Sequence, residues 1–344
     1  MQSLSSTAAH APAARRPESI PLGHLAPALR AVEDQLEQVF ADEDPFLYGP
    51  LRALVRRGGK RIRPALVLLS CGAAGGNPER AIGAAAVVEL LHNFTLVHDD
   101  IEDESPVRRG HPTLHEEHGV AFALNAGDAL YTMAWREALA LDPDPVRTQV
   151  IAGAMAAACR RLVDGQGREL WWRRTRSFDV DEPSWLAMAR GKTGALLGLA
   201  CELGGLFAAP MLADRLRRYG ERLGLAYQIQ DDLLSLTSSD DSFGKECTSD
   251  LYEGKRSLMV IHALGRAPAP VRSRLLRLLT DGSRERTRLD EVTAILTATE
   301  SIAYAEHLAR QMAAEATSQI AELPGVRDRD ALIALTEYAI TRTA

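Results

Sequence analysis

The sequence predicts an all-α protein, a single large helical bundle around a central cavity. Three observations predict it. After His24, apolar residues recur at three- and four-residue spacing through most of the chain, the period of an amphipathic helix. Period-two alternation bounded by turns, the mark of a half-buried strand, is nearly absent. Helix breakers gather in short clusters, at 58–60 (GGK), 75–78 (GGNP), 141–145 (LDPDP), 238–250, 265–270 (GRAPAP) and 281–287, so one helix follows another through brief connections. Length alone, 344 residues, would suggest about two domains. No connection reads as a linker between them, so residues 23–344 are assigned to one domain.

In chain order, residues 1–22 are rich in Ala, Ser and Pro and hold no acid before Glu18. They are expected to form a disordered tail, since they lack the amphipathic pattern of a transit peptide. HLAPALRAVEDQLEQVF (24–40) opens the helical part, and GGKRIRP (58–64) is a basic loop behind a glycine pair. RAIGAAAVVELLHNFTLVHDD (80–100) is a long apolar helix that runs into acid. The Ala- and Gly-rich helices 121–140 and 150–163 suit close packing across a homodimer interface. RLRRYGERLGLAYQIQDDLLSL (215–236) is a second apolar helix ending in paired aspartates.

The composition, 46% hydrophobic and 25% charged, is that of a globular chain with a sizeable core. Forty-six acids against 40 bases exclude a general attraction to nucleic acid or anionic membrane, so any phosphate site must be built locally. Cys71, Cys159, Cys201 and Cys247 are scattered, without a CxxC pair, as expected of free thiols in a reducing compartment. No uninterrupted apolar stretch reaches the roughly 18–20 residues of a membrane span. The expected location is the cytoplasm.

The chemistry lies at the two helix ends. In LVHDDIEDESPVRRG (96–110), Asp99 and Asp103 are four residues apart and share a face, with His92 two turns below and Asp100 on the flank. Like charges so placed repel, and a divalent cation compensates them. Oxygen ligands with room for phosphate suit Mg2+, which binds through one or two carboxylates plus substrate phosphates. Alone, such a cluster reads equally well as a solvated acidic helix end. Here a second pair, Asp231 and Asp232, follows Gln228 on one face. Lys60, Arg61 and Arg63 stand in a flexible loop, and Arg108 and Arg109, whose forks match phosphate oxygens, follow the acids closely. Carboxylates for metal and separate bases for phosphate imply two anionic ligands held by different means.

With these motifs the chain resembles the trans-isoprenyl diphosphate synthases, the polyprenyl synthetase family of head-to-tail prenyltransferases. GGKRIRP, ELLHNFTLVHDDIED, RRGHPTLH, NAGDAL, GKTGAL, YQIQDD, FGKECTSDL and GKRSL occur in the family's order. The resemblance implies that Lys60, Arg63 and His92, helped by Arg109, bind isopentenyl diphosphate. It implies that Asp99, Asp100 and Asp103, opposite Asp231 and Asp232, hold Mg2+, three ions per site, against an allylic diphosphate. Arg108, Lys192, Lys245 and Lys255 would contact that diphosphate, and Thr193 and Gln228 would face the developing allylic cation. The implied reaction is ionisation, condensation and proton elimination.

Ser235 stands where a third acid would complete the second cluster. A class I terpene cyclase is the rival this raises, but Ser239 falls where a cyclase needs an acid, and a cyclase has no use for GGKRIRP. A non-catalytic modulatory subunit is disfavoured because the first cluster is intact. Helical geometry places Thr95 beneath Asp99 and Phe94 on the flank, so both are candidate chain-length residues. A single aromatic at Phe94, with no insertion in the acid motif, resembles synthases of the C20 product, geranylgeranyl diphosphate; the C15 and C25 products are the alternatives. On this reading Phe94→Ala lengthens the product.

Overall fold

The computed structural model describes residues 22–41, 43–237, 255–280 and 286–342. In order these form α1 (Ala26–Val39), α2 (Pro45–Arg56), α3 (Ile62–Ala73), α4 (Ile82–Glu102), β1 (Val107–Arg108), β2 (His111–Pro112), α5 (Leu114–His118), α6 (Val120–Leu139) and α7 (Pro145–Thr175). Then come α8 (Glu182–Ala189), a π-helical turn (Arg190–Gly194), α9 (Ala195–Ala208), α10 (Ala213–Thr237), α11 (Leu258–Arg266), α12 (Ala269–Thr280), α13 (Arg286–Ala298), α14 (Ser301–Ile320) and α15 (Val326–Thr341). The all-α expectation holds. Among the described residues the strands amount to one small antiparallel hairpin, with Arg108 opposite His111.

The centre is α3, α4 and α9, whose residues are apolar nearly all round because other helices cover every side. By length and apolar content α4 with its leading turn, Pro78–Glu102, could cross a bilayer, which the sequence reading did not expect of any segment. Yet 67% of its most apolar window is buried inside the bundle, the position of a core helix. A second apolar cluster gathers α8, the end of α10 and helices α11–α14.

Three local features position the site. First, α4 stops at the acid block: Asp103 caps it with its N–H on the Asp99 carbonyl, and Glu104 takes φ 50° and turns the chain back. The hairpin then returns Arg108 and Arg109 toward the helix end. Second, α7 starts at a strong signal, Pro145 at the first position with the Asp144 carboxylate accepting from the Val146 N–H. It continues for 31 residues, well past the segment 150–163 read from the sequence, and so reaches the end of α4. Third, the GKTG segment winds as a π-helical turn, a form common at functional sites. It fits because its neighbours lack side chains: a Cβ at Gly165 would lie 2.4 Å from the Lys192 nitrogen, and one at Gly224 would lie 2.6 Å from the Gly194 Cα.

Candidate active site

The basic loop and the returning hairpin build an anion pocket. Arg63 is half-buried and donates through Nη1 to His92 Nε2 at 3.0 Å. A guanidinium can only donate, so Nε2 accepts and the ring proton sits on Nδ1. Burial, and then the Arg63 and Arg109 charges, hold His92 well below the usual imidazole range, so it is neutral. His92 Nδ1 and Arg63 Nε are both buried without a partner among the described residues. Two orphaned donors beside guanidinium groups call for an anion to accept from them. Arg109 completes the pocket by crossing the loop and donating to the Gly58 carbonyl. Gly59, at φ 150°, permits this: a Cβ there would meet the Arg109 Nη1 at 2.8 Å. Lys60 reaches the Tyr338 hydroxyl of α15 at 3.2 Å. Arg61 instead turns inward to Glu33 and Glu89 and serves the fold.

The acidic end of α4 faces this pocket's neighbour. Asp100 is buried and paired with Arg108 at 2.5 Å, and Asp103 pairs with Arg173 of α7 at 2.8 Å. Asp99 differs, because among the described residues its side chain has no hydrogen-bond partner and no cation within ion-pairing distance. Burial pushes its carboxyl up to about 6, against the opposing pull of the Lys192 charge. Lys192 is itself held by the half-buried Glu169 at 2.5 Å. Burial works against the lysine's charge, but Glu169, Asp99 and Asp103 outweigh it and hold its pKa above the ordinary range.

The second cluster joins the first through this lysine's neighbour. Thr193 Oγ1 donates to Gln228 Oε1 at 2.6 Å, and Gln228 Nε2 donates to Asp232 Oδ1 at 3.1 Å. Lys255 lies 3.4 Å from the same Asp232 oxygen, and Asp231 is paired with Arg342 near the end of the described chain. The Lys192 charge acts on Asp99, and Thr193, the next residue in the chain, is linked through Gln228 to Asp232. Lys245 lies outside the described residues.

The donor set fits Mg2+. It is all oxygen, recessed yet reachable, and includes a carboxylate without a paired cation. Among the described residues no three His, Cys, Asp or Glu side chains converge to enclose an ion unaided. That suits a metal that takes few protein ligands and completes its shell with water and phosphate.

Beneath Asp99 an apolar cavity of about 480 Å3 runs between α4, α6, α7 and α9. Phe94 and Thr95 both line it, as the sequence placed them. The Thr95 hydroxyl is turned back onto the His92 carbonyl at 2.8 Å, which leaves its methyl toward the cavity. Phe94 leans on Tyr131 of α6, ring centres 5.0 Å apart. His98 packs against α6 near Leu124 and Asp128. Sequence reasoning missed Glu169, Arg173, Tyr338 and Arg342, which reach the site from α7 and α15. No local spacing ties them to the aspartates; only the fold does.

The family model described as Polyprenyl synthetase matches residues 44–296. The geranylgeranyl diphosphate synthase of Methanosarcina mazei is 34% identical over 316 residues, 91% of this chain and 94% of that protein. The nonaprenyl diphosphate synthase of Mycobacterium tuberculosis is 37% identical over 327 residues, 92% of this chain and 94% of that protein. Among solved structures, geranylgeranyl pyrophosphate synthetase from Pyrococcus horikoshii superposes with a TM-score of 0.87 at 31% identity, over 93% of this chain and 98% of that one.

Proposed function

The chain belongs to the polyprenyl synthetase family and is a prenyltransferase, and from that premise we propose that it condenses isopentenyl diphosphate with an allylic diphosphate and releases geranylgeranyl diphosphate. The observation that carries the reading is the pairing of two anion sites of opposite design above one apolar cavity. His92, Arg63 and Arg109, with Lys60 at the rim, would bind the isopentenyl diphosphate directly. Mg2+, three ions on the family pattern, would link the allylic diphosphate to Asp99, Asp100, Asp103, Asp231 and Asp232 and offset the charge it gains as it leaves. Arg108, Lys192, Lys245 and Lys255 would contact the same leaving group.

The chain's own residues then do three things. Lys192, kept cationic by Glu169, stabilises negative charge where the allylic C–O bond breaks. Thr193 spends its hydrogen on Gln228, so its oxygen lone pairs remain for the carbon that turns positive. The buried walls keep water from that carbon, which it would quench. Both substrates are held above one cavity, which makes the condensation intramolecular in effect. The proton lost after condensation goes to the released diphosphate, so no side-chain base is required.

The C20 length is supported by Thr95 beneath Asp99, by Phe94 as the single aromatic beside it, and by the cavity below. A homodimer is supported by the outer faces of α6 and α7, where Val120, Leu124, Val150 and Val163 stand exposed. The test is to incubate the purified protein with Mg2+, isopentenyl diphosphate and each allylic starter and to measure product length. A C20 prenyl diphosphate supports the proposal. A cyclic hydrocarbon formed from geranylgeranyl diphosphate alone, or no turnover with any starter, refutes it.

A further inference from the structure

The cavity beneath Asp99 does not stop at the residues just before the acid block. α4 and α6 run antiparallel in a fixed register. A Cβ at Gly127 would touch the His98 ring at 2.3 Å, and Phe94 meets Tyr131 four residues further along each helix. The next equal step brings Trp135 level with Leu90 and Leu91, and both Trp135 and Leu91 line the cavity. Tyr131 and Trp135 are in edge contact, ring centres 6.3 Å apart. Three rings, Phe94, Tyr131 and Trp135, thus form one connected wall, and Trp135 is its deepest member.

The depths follow from helix geometry. At 1.5 Å per residue, Phe94 and Thr95 lie roughly 6–8 Å below Asp99, and the Leu91 level lies roughly 12 Å below it. Phe94 does not close the passage, because it leans sideways onto Tyr131 and Thr95 offers only a methyl. A tail that passes between them next meets Trp135, one helical turn deeper. An isoprene unit adds four chain carbons, about 5 Å when extended with C–C bonds of about 1.5 Å. One turn of helix therefore corresponds to about one C5 unit.

Resting on the prenyltransferase reading above, we propose that Trp135, braced by Tyr131, ends the growing prenyl tail, so that product length is set from α6 as well as from the residues preceding Asp99. Trp135 touches neither diphosphate site, so its truncation changes the length of the product and leaves the condensation intact.

The experiment extends farnesyl diphosphate with isopentenyl diphosphate and Mg2+, using wild type, Trp135→Ala, Trp135→Leu and Phe94→Ala, and reads the longest product by mass spectrometry. Trp135→Leu guards against a folding failure of the alanine variant, and circular dichroism confirms that each variant is folded. The expected result is a product at least one C5 unit longer for both Trp135 variants. Folded, active Trp135 variants with the wild-type product length overturn the proposal, whatever Phe94→Ala does. Failure of wild type to extend any starter would instead overturn the prenyltransferase reading, so the two failures are distinguishable.

Discussion

Burial disfavours the charge of Asp99, and replacing it by asparagine should stabilise the protein while disabling it. Its carboxyl is raised from 3.8 to about 6, chiefly by burial. At about 1.4 kcal/mol per pKa unit, and with allowance for the solvent that still reaches it, ionised Asp99 costs about 2–3 kcal/mol. The sign follows from linkage. The folded state binds this proton more tightly than the unfolded state, so stability falls as pH rises from about 4 to about 6, and the full cost persists above that window. An asparagine side chain keeps the shape and carries no charge. Unfolding entropy near 2.1 cal/mol/K per residue gives roughly 0.7 kcal/mol/K for a chain of this length, so Asp99→Asn should raise Tm by about 3–4 °C at pH 7.5 and by little near pH 4. The assay is scanning calorimetry in EDTA at both pH values, repeated at pH 7.5 with Mg2+ and inorganic pyrophosphate. The added ligands should raise the wild-type Tm more than that of Asp99→Asn, and turnover of the variant should fall by orders of magnitude. An Asp99→Asn protein no more stable than wild type at pH 7.5, or one shifted equally at both pH values, would refute the reasoning.

Other outcomes follow from the same geometry. Lys60→Ala should raise KM for isopentenyl diphosphate about tenfold, the 1.4 kcal/mol of one charge-assisted hydrogen bond, and leave KM for the allylic substrate unchanged in steady-state assays. Glu169→Gln removes the largest influence that keeps half-buried Lys192 protonated, so the alkaline limb of the kcat–pH profile should move to lower pH, whereas a merely structural role for Glu169 would leave the profile in place. Thr95→Phe puts a ring one turn beneath Asp99 and should shorten the longest product by at least one C5 unit, read by mass spectrometry.

Much of this site was legible in the sequence because its chemistry is written locally. DDIED, QIQDD and GGKRIRP each place their groups within two helical turns, and helix period alone ranks Asp99, Thr95 and Phe94 by face and depth. What the sequence could not supply lies across the bundle. Glu169 is 23 residues from Lys192, and Arg342 is 111 residues from Asp231, so neither pairing has a spacing to betray it. Arg61 shows the reverse limit: it sits between two site residues and looks like them, but its left-handed backbone at φ 46° sends it to Glu33 and Glu89. Trp135 belongs to the same class, since its relation to Phe94 exists only once α4 and α6 have found their register.

Among the described residues, each base assigned to the allylic diphosphate rests on an acid: Arg108 on Asp100, Lys192 on Glu169 and Lys255 on Asp232. Unpaired, such groups would repel one another and resist burial. Paired, they are held within a side chain's reach of the place where the leaving diphosphate must sit. On the proposed reading, a metal-bound diphosphate would bring cations to Asp100 and Asp232 and anionic oxygens to Arg108 and Lys255, so these pairs would exchange partners without leaving a bare charge. Lys192 is different, because Glu169 is no metal ligand and can stay beside it throughout. That permanence suits the group asked to remain cationic while charge builds on the departing oxygen. Asp99 is the complement, the acid left unmatched among these pairs, with its carboxyl raised by burial.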